Sequence, residues 1–217
     1  MADRNGRLDA ATVLSEWMGV VGSQGLTDTG LNTASQDPHP RVTQPSIDCG
    51  KGANSSDKGT SLCTASKEED IETVRSLLES GTDVNERDDL HRTPVIYASW
   101  RGSVEVAKLL IEYGADVNSH DGTGWASLHV ASLNGHLDVV RLLLDHDANV
   151  NVGRHDRWTA LHLASQHGHF EVVELLLKQR ANVGVRNDDG RTPSQVALRS
   201  GKRNIVRLLS EYDIHDL

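Results

Sequence analysis

Residues 159–178 read TALHLASQHGHFEVVELLLK, and this stretch decides the fold. Thr159 is a residue type that caps helices, and behind it Ala160, Leu161, Leu163 and Ala164 make a short apolar helix. Gly168 ends it, because glycine enters the left-handed conformation at a helix C-terminus cheaply. A second helix then carries Val172, Val173, Leu175 and Leu176 with Glu171 and Glu174 interspersed, an apolar stripe at helical spacing with a polar remainder. One helix pair cannot bury that stripe alone; stacked copies can, each covering its neighbour's apolar face.

The copies are there at a step of 33 residues. Ala65, Ala98, Ala131, Ala164 and Ala197 fall in one column, Gly102, Gly135, Gly168 and Gly201 in another, and Leu77, Leu110, Leu143, Leu176 and Leu209 in a third. Val106, Val139, Val172 and Ile205 follow the same step without an insertion, as do Thr93, Thr159 and Thr192. Such a period decides the architecture before any local reading does. Pro94 and Pro193 follow their threonines at the first helical position, where a missing N–H costs nothing. Both ends of the array turn polar, as a finite stack requires. The first copy has Lys67, Glu68, Glu69 and Asp70, and the last has Ser194, Gln195, Arg203, Asn204 and Ser210.

The composition fits helices. Of the 217 residues 37% are hydrophobic but only 4% aromatic, so the core must be built from Leu, Val, Ile and Ala. A net charge of -9 disfavours both nucleic acid and anionic lipid, which leaves a protein as the expected partner. Cys49 and Cys63 lack the repeated spacing of a zinc site and read as free thiols, and the charged start at Asp3, Arg4, Arg7 and Asp9 lacks the apolar run of a secretory signal. With no run of 18 apolar residues there is no membrane span, and the expected setting is intracellular, cytoplasmic or nuclear.

Leu-His-Leu-Ala at 161–164, Gly-His at 168–169, Val-Val-x-Leu-Leu-Leu at 172–177 and Gly-Ala-Asp-Val-Asn at 114–118 resemble ankyrin repeats. The resemblance covers residues 60–217 as five repeats, about 60–88, 89–121, 122–154, 155–187 and 188–217. It implies an all-α solenoid of antiparallel helix pairs with projecting β-hairpin loops, used to recognise proteins. Some copies depart from the pattern. His91 and Arg157 stand where Gly124 and Gly190 make the hairpin turn, so distorted turns are expected there, and Asp147 and Arg180 replace the glycine seen at Gly114.

By the same resemblance the partner meets the hairpin tips and the exposed end of each first helix. The candidate contacts are Arg92, Trp100, Arg101, Trp125, Leu133, Asn134, Asp156, Trp158, Gln166, His167 and Arg191. Three of the four tryptophans are in this set, and Trp and Arg are the types most enriched at binding hot spots. The alternative is that Trp125 and Trp158, 33 residues apart, pack as structural staples. His129 and His162 occupy the family's Leu-His position, and His136 and His169 its Gly-His position, roles that hold neighbouring turns and leave no metal site. Asn85, Asn118 and Asn151 sit where asparaginyl hydroxylases modify some members, and their simpler role is to hold the loop by side-chain hydrogen bonds.

No nucleophile, phosphate-binding loop or cofactor motif is present, so neither an enzyme nor a cofactor is expected. Residues 1–59 read as a largely disordered tail, with Leu14, Trp17, Met18 and Val21 spaced for a short helix over 9–21. The reading is therefore a monomeric protein-binding scaffold or adaptor. The alternative is a substrate-targeting or regulatory segment that works with a separate enzyme.

Overall fold

The computed structural model describes residues 61–213; the tail over 1–59 and its helix at 9–21 lie outside the described residues. Ten helices follow in five pairs. These are α1 (Leu62–Glu68) with α2 (Ile71–Glu79), α3 (Pro94–Arg101) with α4 (Val104–Glu112), α5 (Ser127–Asn134) with α6 (Leu137–Asp145), α7 (Ala160–His167) with α8 (Phe170–Lys178), and α9 (Pro193–Arg199) with α10 (Arg203–Asp213). First helices pack on first helices and second helices on second helices, each touching the next pair along the chain. This makes an all-α solenoid, and the row of first helices is drawn together more tightly than the row of second helices.

Local chemistry sets the helix ends where the sequence places them. The Thr159 side chain accepts from the His162 N–H and Thr192 from the Gln195 N–H, while Pro94 and Pro193 occupy first-turn positions. Gly102, Gly135 and Gly168 close the first helices in the left-handed conformation. Gly102 and Gly135 are needed twice over. A Cβ at Gly102 would fall 2.5 Å from the His136 ring, which crosses it so that Nε2 reaches the Trp100 carbonyl at 3.1 Å. Val106, Leu110, Val139, Leu143, Val172, Leu176, Ile205 and Leu209 are at most 2% exposed, so each fully buried side chain contributes about 1.5–3 kcal/mol by transfer.

The loops differ from expectation in two ways. The hairpins are closed turns rather than strand pairs: among the described residues the pairing is limited to isolated bridges at His120–Ala126 and Gly153–Thr159. The non-glycine turns are also undistorted. His91 and Arg157 take φ of 61° and 58°, the same left-handed region as Gly124 and Gly190. The reason is hydrogen bonding that fixes the loop whatever the residue. Asp88, Asp121, Arg154 and Asn187 each donate their N–H to the carbonyl four residues on, at 2.9–3.1 Å, and accept the turn's own N–H.

Asp147 and Arg180 are likewise forced to φ 62°, where L side chains are strained by about 1–2 kcal/mol. Both side chains are exposed. Part of the gain from glycine is returned as unfolded-chain entropy, so Asp147→Gly with Arg180→Gly is expected to stabilise the fold by about 0.5–1 kcal/mol per site. Thermal denaturation would show this as a raised midpoint; an unchanged or lowered one would mean that the strain is absent. No helix among the described residues is long and apolar enough to cross a membrane.

Candidate functional site

The first helices end side by side, and their last turns with the following loops form a ledge. Trp100 is half-buried at the end of α3, and the Arg101 guanidinium lies 5.6 Å from its ring centroid. Arg101 is held there by Glu69 of the preceding pair at 2.9 Å. Asn134 continues the row at the end of α5, donating to the Val130 carbonyl at 3.1 Å and to Trp100 at 3.4 Å. Gln166 and His167 follow at the end of α7, where His167 stacks on His169 with ring centroids 6.2 Å apart. Partial burial, then the positive fields of His169 and Lys202, hold the His167 imidazole below its ordinary range. Trp100, Arg101, Asn134, Gln166 and His167 thus share one accessible surface.

Four other candidates do not present an exposed side chain. Leu133 is 2% exposed inside α5, and Arg92 is 5% exposed, with Nη1 donating to the Tyr97 hydroxyl at 3.4 Å. Trp125 and Trp158 are 4% and 7% exposed, which corrects the expectation that they stand out as anchors. The cause is specific. Asp88 and Asp121 open their hairpins by accepting the tip's backbone N–H groups, and Asn187 does the same for the Arg191 N–H at 2.9 Å. The third hairpin has Arg154 in that column, which cannot accept. Its guanidinium folds instead across the Trp125 ring, 3.9 Å from the centroid, and pairs with Asp156 at 2.9 Å. Trp158 packs against His162, with centroids 5.7 Å apart.

The remaining tip candidates, Asp156 and Arg191, are partly exposed and carry local ion pairs, Asp156 with Arg154 and Arg191 with Asp189 at 3.3 Å. Sequence reasoning missed Glu69, Arg154 and Lys202 as neighbours of the candidates. The break in the Asp-Asp-Arg-Asn column was the available signal for Arg154; for Glu69 the signal was its place in the glycine column.

The histidines serve the stack. Neutral His129 accepts the Ala126 N–H at Nδ1 (3.1 Å) and donates from Nε2 to the Val152 carbonyl (2.9 Å). His162 Nε2 meets the Arg191 carbonyl at 3.0 Å and His169 Nε2 the Leu133 carbonyl at 2.9 Å. The asparagine column clamps successive loops. Asn118 Oδ1 accepts the Asn149 N–H at 2.8 Å while its Nδ2 donates to the Asp147 carbonyl at 3.1 Å, and Asn85 and Asn151 repeat the arrangement. Cys63 is a buried core residue. Its thiol is pushed up by burial and by the Glu86 and Asp88 carboxylates, the opposite of what a nucleophile needs.

Residues 31–121, 62–154 and 128–216 each match the family model described as ankyrin repeats (3 copies). A comparison with curated proteins gives no match.

Proposed function

Because the chain belongs to the ankyrin-repeat family, whose repeats are protein-interaction modules, we propose that it is a non-catalytic scaffold or adaptor holding a protein partner on the ledge. One observation carries the reading. Trp100 is the tryptophan left half-exposed among the described residues, and Arg101 is pre-set against it by the Glu69 ion pair. A rigid aromatic beside a fixed guanidinium offers contact area at little cost in rotamer entropy, the property that concentrates binding energy in Trp and Arg. Asn134, Gln166 and His167 extend the contact, with Asp156 and Arg191 at the tips. The array is divided into five repeats over residues 60–217, and it acts as a monomer in an intracellular setting, cytoplasmic or nuclear.

The test is affinity capture with the intact chain beside a Trp100→Ala, Arg101→Ala variant shown by circular dichroism to be folded. The reading expects a protein retained by the first and released by the second. Retention of the same protein by both would place the contact elsewhere.

A further inference from the structure

Column by column, the ledge changes sign along the stack. At its first-pair end stand Glu68, Glu69 and Asp70, all exposed. The same columns hold Arg101 and Ser103 in the second pair, Asn134 and His136 in the third, His167 and His169 in the fourth, and Lys202 in the fifth, followed by Arg203. The gradient extends beyond the ledge. Residues 61–90 hold nine carboxylates against three cations, and residues 179–212 hold seven cations against three carboxylates, so the separation is a property of the two ends.

At the basic end the side chains converge. Lys202 lies over Gly168 so closely that a Cβ there would sit 3.0 Å from its methylenes, and one step back the His169 ring lies over Gly135 with the parallel His167 ring 6.2 Å from it. The chain as a whole is acidic, so this end is a local exception to its net charge.

Resting on the reading of the ledge as the partner surface, we infer that its fourth- and fifth-pair end docks an acidic segment of the partner protein. The carboxylates of that segment lie against His167, His169, Lys202 and Arg203, and its apolar end lies towards Trp100. Lys202 and Arg203 attract the carboxylates there and the His167 imidazole offers a hydrogen-bond donor, while Glu68, Glu69 and Asp70 repel an acidic chain laid in the reverse direction, which fixes the orientation. Helix rows are spaced by about 8–10 Å, so the run from Trp100 to Lys202 takes roughly nine residues of extended chain.

The probe is a fluorescein-labelled nonapeptide, Leu-Leu-Gly followed by six glutamates, titrated with the intact chain by anisotropy at low salt. Its counterpart carries six lysines. The glutamate peptide is expected to bind and the lysine peptide not to, and Lys202→Glu with Arg203→Glu weakens the complex about tenfold or more. Both substituted side chains are outside the core, and an acid at position 203 suits the first turn of α10. Lys108→Glu with Arg141→Glu, on second helices, is expected to leave binding unchanged.

Absence of binding, equal binding of the lysine peptide, or equal weakening by the second-helix pair would overturn the inference. Tighter binding of a single-stranded oligonucleotide of the same length would replace it with a nucleic-acid site. If the peptide fails while capture of a protein still depends on Trp100, only this inference falls; if that capture also fails, the proposed function falls with it.

Discussion

Trp125→Ala is expected to destabilise the fold by about 3 kcal/mol or more, an effect on folding first and on binding only through it. The indole is 4% exposed, stands edge-on to His129 with centroids 6.3 Å apart, and is roofed by Arg154 at 3.9 Å. Removing it opens a cavity at the junction of the second and third hairpins. It also strips the apolar support from a partly buried guanidinium whose Nε and Nη1 have no hydrogen-bond partner among the described residues. Against a total of roughly 5–15 kcal/mol for a domain, a loss of this size lowers the thermal midpoint by roughly 10 °C. Trp100→Ala, at a half-exposed position, should cost much less. A Trp125→Ala variant with an unchanged midpoint and lost partner capture would restore the anchor role that the burial argues against.

Lowering the pH from 7 to 5 should remove about 2 kcal/mol of stability through His129 alone. Burial, reinforced by the Arg154 charge and opposed by the Val152 carbonyl and Asp121, pushes this imidazole down to about 4. The unfolded chain takes up the proton near the ordinary value of 6.5 while the folded chain refuses it. Stability is therefore complete above that value and is lost as the pH falls towards the folded one. The structural reason is that Nδ1 accepts the Ala126 N–H; a protonated ring would set two donors against each other. His162, also depressed by burial, acts in the same direction. Urea denaturation at pH 7 and pH 5 measures the loss, and His129→Gln should flatten much of that pH dependence. Equal stability of the parent protein at the two pH values would contradict the account.

The helices were legible in the sequence because each rests on local signals that tertiary structure did not override. Thr159 and Thr192 cap, Pro94 and Pro193 open, Gly102, Gly135 and Gly168 close, and the leucine and valine columns face the neighbouring pairs. The histidine and asparagine columns were legible for the same reason, since a side chain repeated at a fixed step meets the same carbonyl each time.

The hairpin tips were not legible. Whether Trp125 is exposed depends on Arg154, which opens the next hairpin and departs from its own column. A glycine-free turn is expected to be distorted at His91 and Arg157, yet the loop's backbone hydrogen bonds hold it in the left-handed region. The ledge was half legible. Its half-exposed residues Trp100 and Asn134 follow from helix position, but Glu69, which fixes Arg101, sits in a column that glycine otherwise occupies.

The most direct test of the ledge as the partner surface is site-specific photo-crosslinking. A benzoylphenylalanine would be placed in turn at positions 100 and 167 on the ledge and at positions 108 and 141 on the second helices, with each variant offered the same captured partner. The account predicts crosslinks from the two ledge positions and none from the second helices. Crosslinks confined to positions 108 and 141 would show that the partner lies on the opposite face, and would contradict it.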